Sequence, residues 1–385
     1  MLRSLRFLSV SSRTTISPSK GYSLRAPTDF APKSVVVFST PQNIKHVIME
    51  SVESMKQGVQ VVVAGVDTVP GNQRNGVSEL WMDEPLKIGH FKELDLAEQY
   101  PEQQVHTHNG EVCMSGHSHQ HQHQHTHGGE PCSGSHSHGE EPAANSYNWS
   151  KPDGSITINI GTTHTTLALA NTLFATQFAN TMFFLEKGHP KQGQVLSELE
   201  ITLPFQKSTT VVHDEWEPLF DGKKMEITSV AGNLLKQVDG QSCAGLLQGN
   251  DRLMSAGKES EVYVKIFPKD GSEPQRFKCI ASGGAWGAKK DIVALNPEAQ
   301  PQRGDKVSFY VLSPEKKAVP PTESKHFGVI SFECSPEQQS FDPPKQPEQT
   351  LTHVFGAGSE QGFVTNGIIH ESSGETVVIA TEESP

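Results

Sequence analysis

Residues 34–64 read SVVVFSTPQNIKHVIMESVESMKQGVQVVVA. The order strand, helix, strand in this stretch decides the fold class. Residues 34–38 (SVVVF) are a short β-branched run that predicts a strand. Ser39, Thr40 and Pro41 supply an N-cap and a first-turn proline for a helix. Ile44, Val47, Ile48, Val52 and Met55 then recur at helical spacing until Gly58 stops the pattern. Residues 59–64 (VQVVVA) are apolar enough to be covered on both faces, as strands of parallel sheets with packed helices are.

Working outward, residues 65–76 (GVDTVPGNQRNG) are a loop rich in turn formers, and 77–82 predict a third strand. Order resumes at 155–160 (SITINI), followed by an expected helix over 163–179 and a strand over 181–185. Further strands are expected at 198–203, 224–230, 234–238, 262–267, 277–281, 307–312, 328–333 and 376–380, with few helices among them. The fold class expected is therefore α/β passing into α+β, mixed β-sheets with packed helices. Residues 155–185 carry no Asp, Glu, Lys or Arg and are long enough to cross a bilayer. Asn159, Asn171, Gln177 and Asn180 interrupt them, so no transmembrane segment is expected.

The 385 residues hold 32 basic and 44 acidic side chains, a formal net charge of -12. Arg3, Arg6, Arg13, Lys20 and Arg25 all precede the first acid, Asp29, so the rest of the chain stands at -17. Such a body repels phosphate backbones, and nucleic-acid binding is not expected. Residues 1–27 are Arg-rich, Ser-rich and free of acid, the composition of a mitochondrial transit peptide. Wound as a helix, Leu2, Leu5, Leu8, Phe7 and Val10 gather on one side with Arg3, Arg6 and Arg13 around the other. Import into the mitochondrion, with the matrix as destination and the import machinery as a partner, is expected, with cleavage between Ser19 and Pro27. The five cysteines are odd in number, widely spaced and form no CxxC, a reduced intracellular pattern.

Histidine is concentrated: ten of eighteen lie between His106 and His138. Residues 98–150 are polar, low in complexity and rich in Gly, Ser and Pro, which predicts a disordered insertion. Within them His117, His119, His121, His123, His125 and His127 alternate with Ser, Gln and Thr. His136, His138, Cys113 and Cys132 lie close by in sequence. Alternate residues of an extended chain share a face, so neighbouring imidazoles can close on one ion. Imidazole suits zinc, nickel and copper, and a thiolate favours zinc or Cu(I). No other cofactor is indicated.

Four strings, in order, resemble the FIST family (F-box and intracellular signal transduction proteins). They are VVVFST with VVVAGVDT, NLLKQVDGQSCAGLLQG, GVISFECS, and GAGSEQGFVTNGIIHESSGETVVIAT. The resemblance divides the body into a FIST-like N-terminal region, residues 28–97 and 151–223 around the insertion, and a FIST-like C-terminal region, 224–385. It departs from the family where Ile368 follows Gly367, and a transit-like segment stands where an F-box would. What it implies is a sensor of small molecules, with amino acids as a candidate class, acting in signal transduction.

Ligands of α/β sheets bind outside the carboxyl ends of the strands. Ser39 and Thr40 end one expected parallel strand, and Gly65, Asp67 and Thr68 end the next, so these five are candidate ligand-binding residues. The alternative is that Asp67 and Thr68 only cap a turn. Gly283, Gly284 and Trp286, in a glycine-rich turn, are second-rank candidates. Gly240, Ser242 and Ala244 nearly imitate a GxSxG nucleophile elbow, but the second glycine is missing, and no triad, paired-carboxylate or HExxH pattern stands out. The chain is therefore expected to be a ligand-binding protein and not an enzyme. A metal chaperone or buffer, with the His-rich loop as its working part, is the alternative.

Overall fold

The computed structural model describes residues 8–19, 22–94, 107–108, 111–112, 154–189, 193–256, 261–272, 274–280, 292–312, 329–336 and 347–381. In chain order the first strands are β1 (Val10–Ile16), β2 (Ser34–Ser39), β3 (Gln60–Gly65), β4 (Gly76–Met82) and β5 (Lys87–Glu93), with helix α1 (Ile44–Lys56) between β2 and β3. Asp95–Asn148 form a unit of their own, in which β6 (Thr107–His108) pairs with β7 (Glu111–Val112). There follow β8 (Ser155–Ile160), β9 (Thr163–Ala168), β10 (Met182–Leu185), β11 (Leu196–Leu203) and β12 (Ser208–Asp214). Next come β13 (Trp216–Pro218), β14 (Met225–Ala231), β15 (Leu234–Val238), β16 (Gln241–Ser242), β17 (Val262–Phe267), β18 (Gln275–Lys278), β19 (Val293–Ala294) and β20 (Lys306–Leu312). The last are β21 (Val329–Cys334), β22 (Gln349–Thr352), β23 (Val354–Ser359), β24 (Phe363–Thr365), β25 (Ile368–His370) and β26 (Glu375–Thr381).

These strands make mixed sheets with few helices. One sheet runs β10-β3-β2-β4-β1-β22, a second β25-β24-β9-β8-β11-β5, a third β12-β26-β21-β23, and β13–β20 form a fourth. β2, α1 and β3 follow in the expected order, β2 and β3 being parallel, as a pair joined by such a crossover is. The expected cap is corrected, since α1 starts at Ile44 behind Asn43, with no side-chain cap from Ser39 or Thr40 and Pro41 outside the helix. Ile44, Val47 and Met55 of α1 bury against Val35, Val37, Val61 and Val63. Gly58, with φ at +92°, turns the chain out of the helix and into β3.

A four-strand unit occurs twice. In β1-β4-β2-β3 the successive pairings are antiparallel, antiparallel and parallel; in β12-β26-β21-β23 they are the same. The registers coincide. Val35 lies opposite Val61 and Trp81, and Val329 opposite Val354 and Ala380. Both outer strands pair along their whole length, Val10 to Ile16 against Met82 to Gly76 and Ser208 to Asp214 against Thr381 to Glu375. This correspondence sets VVVFST (35–40) against VISFEC (329–334), and VVVAGVD (61–67) against VFGAGSE (354–360).

Equivalent side chains share a core. Val36, Phe38, Val62, Ala64 and Leu80 of the first unit pack in one cluster with Ile330, Phe332, Phe355, Ala357 and Ile379 of the second. Phe38 stacks on Phe355 with ring centroids 5.0 Å apart. Removing a side chain of this size from water stabilises the fold by about 1.5–3 kcal/mol. The β13–β20 body has a core of its own around Phe309, Val264 and Leu247. Strand pairing also crosses residue 223: β12 pairs with β26 and β1 with β22.

Three further expectations are corrected. Residues 163–179 are not a helix: Thr163–Ala168 form β9, a hairpin with β8 turned at Gly161, and only Leu173–Thr176 are helical. Thr163, Thr165 and Leu167 alternate inward along β9, the period-2 pattern of a half-buried strand. Nor is the N-terminal segment helical over Val10–Ile16, which are β1 and pair with β4 and β22. The strand expected at 277–281 ends at Lys278. Among the described residues, no helix is long and apolar enough to cross a membrane.

Candidate functional site

The carboxyl ends of the two parallel pairs meet. The Thr68 N–H donates to the Gly358 carbonyl at 3.2 Å, and the Gly358 N–H donates back to the Thr68 carbonyl at 2.8 Å. The hydroxyls of Thr68 and Ser335 share a 2.6 Å hydrogen bond. Glu333 accepts the backbone N–H groups of Gly71 and Asn72, one on each oxygen and both at 2.9 Å. The backbone N–H of Glu360 donates to Asp67 Oδ2 at 2.9 Å. Arg74 reaches Glu360 at 2.5 Å and also donates to the Pro336 carbonyl.

Gly358 permits this approach, and Gly65, at the equivalent position of the first unit, lies close to a different neighbour. A Cβ on Gly358 would strike the hydroxyls of Thr68 and Ser335. On Gly65 it would lie 2.8 Å from Thr172 Cγ2. Each glycine is followed two residues later by an acid, Asp67 in one unit and Glu360 in the other, so the junction brings two equivalent carboxylates together. Arg74 is the cation beside them. Burial pushes the Asp67 carboxyl up to about 6; the Glu360 charge adds to this, while the Glu360 N–H and Arg74 act against it.

Ser39, Thr40 and Thr68 are completely buried. The Ser39 hydroxyl donates to the Thr40 carbonyl at 3.2 Å, and Thr40 Oγ1 accepts from the Gly76 N–H at 3.0 Å. The backbone of Gly65 is held on both sides, by the Thr181 carbonyl at 2.8 Å and the Ala170 N–H at 3.0 Å. Of these four, Thr68 is the one whose hydrogen bonds cross the junction. Asp67 alone of the five keeps partial exposure. Its partner Glu360 is not among the expected residues, because it comes from a remote segment, as does Glu333, which holds the Gly71 and Asn72 N–H groups nearby. Arg74 lies in the same loop as Asp67 but carries no local signal. The repeated Ala-Gly-x-acid string, 64–67 and 357–360, is the signal that points to Glu360.

Gly283, Gly284 and Trp286 lie outside the described residues, as do the metal-ligand candidates of the His-rich tract. Among the described residues, no three His, Cys, Asp or Glu side chains gather as a metal site. The near-elbow at Gly240, Ser242 and Ala244 is a helix start: the Ser242 hydroxyl caps Cys243–Gln248 by accepting the Gly245 N–H at 3.2 Å. Burial pushes the Cys243 thiol up to about 12, far from a reactive thiolate.

Comparison of the chain with family models, with curated proteins and with solved structures finds no match in any of the three.

Proposed function

We propose that the chain is a non-catalytic, FIST-like binding or sensory protein of the mitochondrion, and that its ligand is a small zwitterion of the amino-acid class held at Asp67, Glu360 and Arg74. One observation supports this above the others. Asp67 is a partly buried carboxylate whose pKa is raised to about 6 at the meeting point of the strand ends. A ligand ammonium group relieves that desolvated charge, and the neighbouring guanidinium matches a ligand carboxylate. A perturbed acid at such a place marks a candidate functional site.

The test is a thermal-shift screen of the intact chain, with chelator present, against amino acids and related metabolites. Stabilisation by one chemical class that disappears in Asp67→Asn supports the reading. No stabilisation by any of them sinks it. The histidine tract is the second part of the proposal, as a binder of zinc, nickel or copper. Micromolar zinc or nickel uptake should vanish on removal of residues 106–138 without a fall in Tm. Uptake that survives the deletion places the metal elsewhere. Transfer of that metal to an acceptor, together with silence in the metabolite screen, favours a metal chaperone or buffer.

A further inference from the structure

The N-terminal segment whose composition suggests an import signal is built into the sheet. β1 lies between β4 and β22, and Arg13 stands directly opposite Glu79 in the β1–β4 ladder. Glu79 is completely buried. Its carboxylate accepts Arg13 Nε at 3.0 Å and Arg13 Nη2 at 2.8 Å on each oxygen. The Tyr22 hydroxyl and the Arg25 backbone N–H also donate to it, the latter at 3.3 Å. Trp81 Nε1, at 2.7 Å, is the one donor of this set from outside the N-terminal segment.

Other bonds fix the same stretch. The Thr14 hydroxyl meets Ser78 Oγ at 2.9 Å and the Val354 carbonyl at 3.0 Å. Tyr22 packs into the core beneath α1, and its carbonyl is bound by the His46 ring. Burial pushes the Tyr22 phenol above its usual range, the Glu79 charge adding to it, so the phenol stays a donor.

We propose that the segment from Ser9 to Arg25 remains in the mature chain, with Val10–Ile16 as a structural strand, and that proteolytic maturation of the N-terminus is confined to the residues before Ser9. Maturation rests on the proposed mitochondrial import; retention rests on the geometry alone. Any cut between Ser19 and Pro27 removes β1 with Arg13, and a cut after Arg25 removes Tyr22 and the Arg25 N–H as well. Glu79 is then a buried carboxylate with its cation gone, a strongly unfavourable arrangement. Of the five positive charges that mark the segment, Arg13 is taken up by Glu79 in the folded sheet.

The experiment reads the first residue of the protein purified from fractionated cells by intact mass. The expected chain begins at or before Ser9, whether trimmed or uncut. A stable chain beginning anywhere from Val10 to Thr28 overturns the proposal. Fractionation scores the compartment separately, so an uncut protein outside the mitochondrion defeats the import reading and leaves retention standing. A second arm uses the full chain. Arg13→Ala should lower Tm by about 4–8 °C. Adding Glu79→Gln should recover part of the loss, because a neutral amide needs no cation. An Arg13→Ala variant that melts with the wild type overturns the assignment of β1 as a required strand.

Discussion

The two four-strand units pair in the same register, yet the same cross-strand position holds Arg13 opposite Glu79 in one and Val211 opposite Val378 in the other. The usual rule is inverted. The first unit's outer face is covered by α1 and Tyr22 and carries the ion pair. In the second unit Val211 is 49% exposed. Backbone topology therefore does not dictate the chemistry of this position. What differs is the set of groups around it: Tyr22, Trp81 and the Arg25 backbone close around Glu79, and a buried charge persists only when its hydrogen bonds are met.

The largest effect should come from breaking the pair on one side. Arg13→Val alone is expected to cost roughly 3–5 kcal/mol in denaturant unfolding, because Glu79 stays buried without its cation. Arg13→Val with Glu79→Val installs the second unit's pair and should cost less than the single change. A double variant as damaged as the single would show that the lost helper bonds, not the unpaired charge, dominate.

The junction gives the next test. Gly358→Ala should destabilise by about 1–3 kcal/mol through collision with Thr68 and Ser335, and Ser335→Ala should relieve part of it. Full recovery by Ser335→Ala would assign the strain to that hydroxyl and clear Thr68.

Asp67 sharpens the comparison electrostatically. Its folded pKa, about 6, lies above the ordinary 3.8, so its charge disfavours the folded state. That penalty is complete above about pH 6 and fades as pH falls toward 4. Asp67→Asn should therefore raise stability at pH 7.5, by at most about 3 kcal/mol, and give no gain near pH 4. Equal effects at both pH values would remove the raised pKa from the account. The smallest change is expected at Val211→Lys, within about 0.5 kcal/mol, since an exposed edge position has little to lose.

Much of the scaffold is legible in the sequence because its signals are local. The β2-α1-β3 unit shows in the valine runs and the helical spacing between them, and β14, β15, β17, β20, β21 and β26 in their apolar runs. β1 is illegible for a physical reason: its arginine looks like an address until Glu79, 66 residues away, supplies the counter-charge. β12 is missed because six of its seven residues are exposed, leaving no alternation to read. At the site, Asp67 is found from its place after a strand. Glu333 and Glu360 are not, since they reach it across more than 250 residues of chain.

The interleaving of the second unit also sets a clock. β12 finds its antiparallel partner only in β26, roughly 160 residues later, after the whole β13–β20 body has been made. At a synthesis rate of about 5–20 residues per second, that strand waits on the order of 10–30 s for its neighbour. During that interval a threonine- and valine-rich edge is open to any passing strand. For this strand the exposure to mispairing thus lasts through most of the second half of the chain's synthesis.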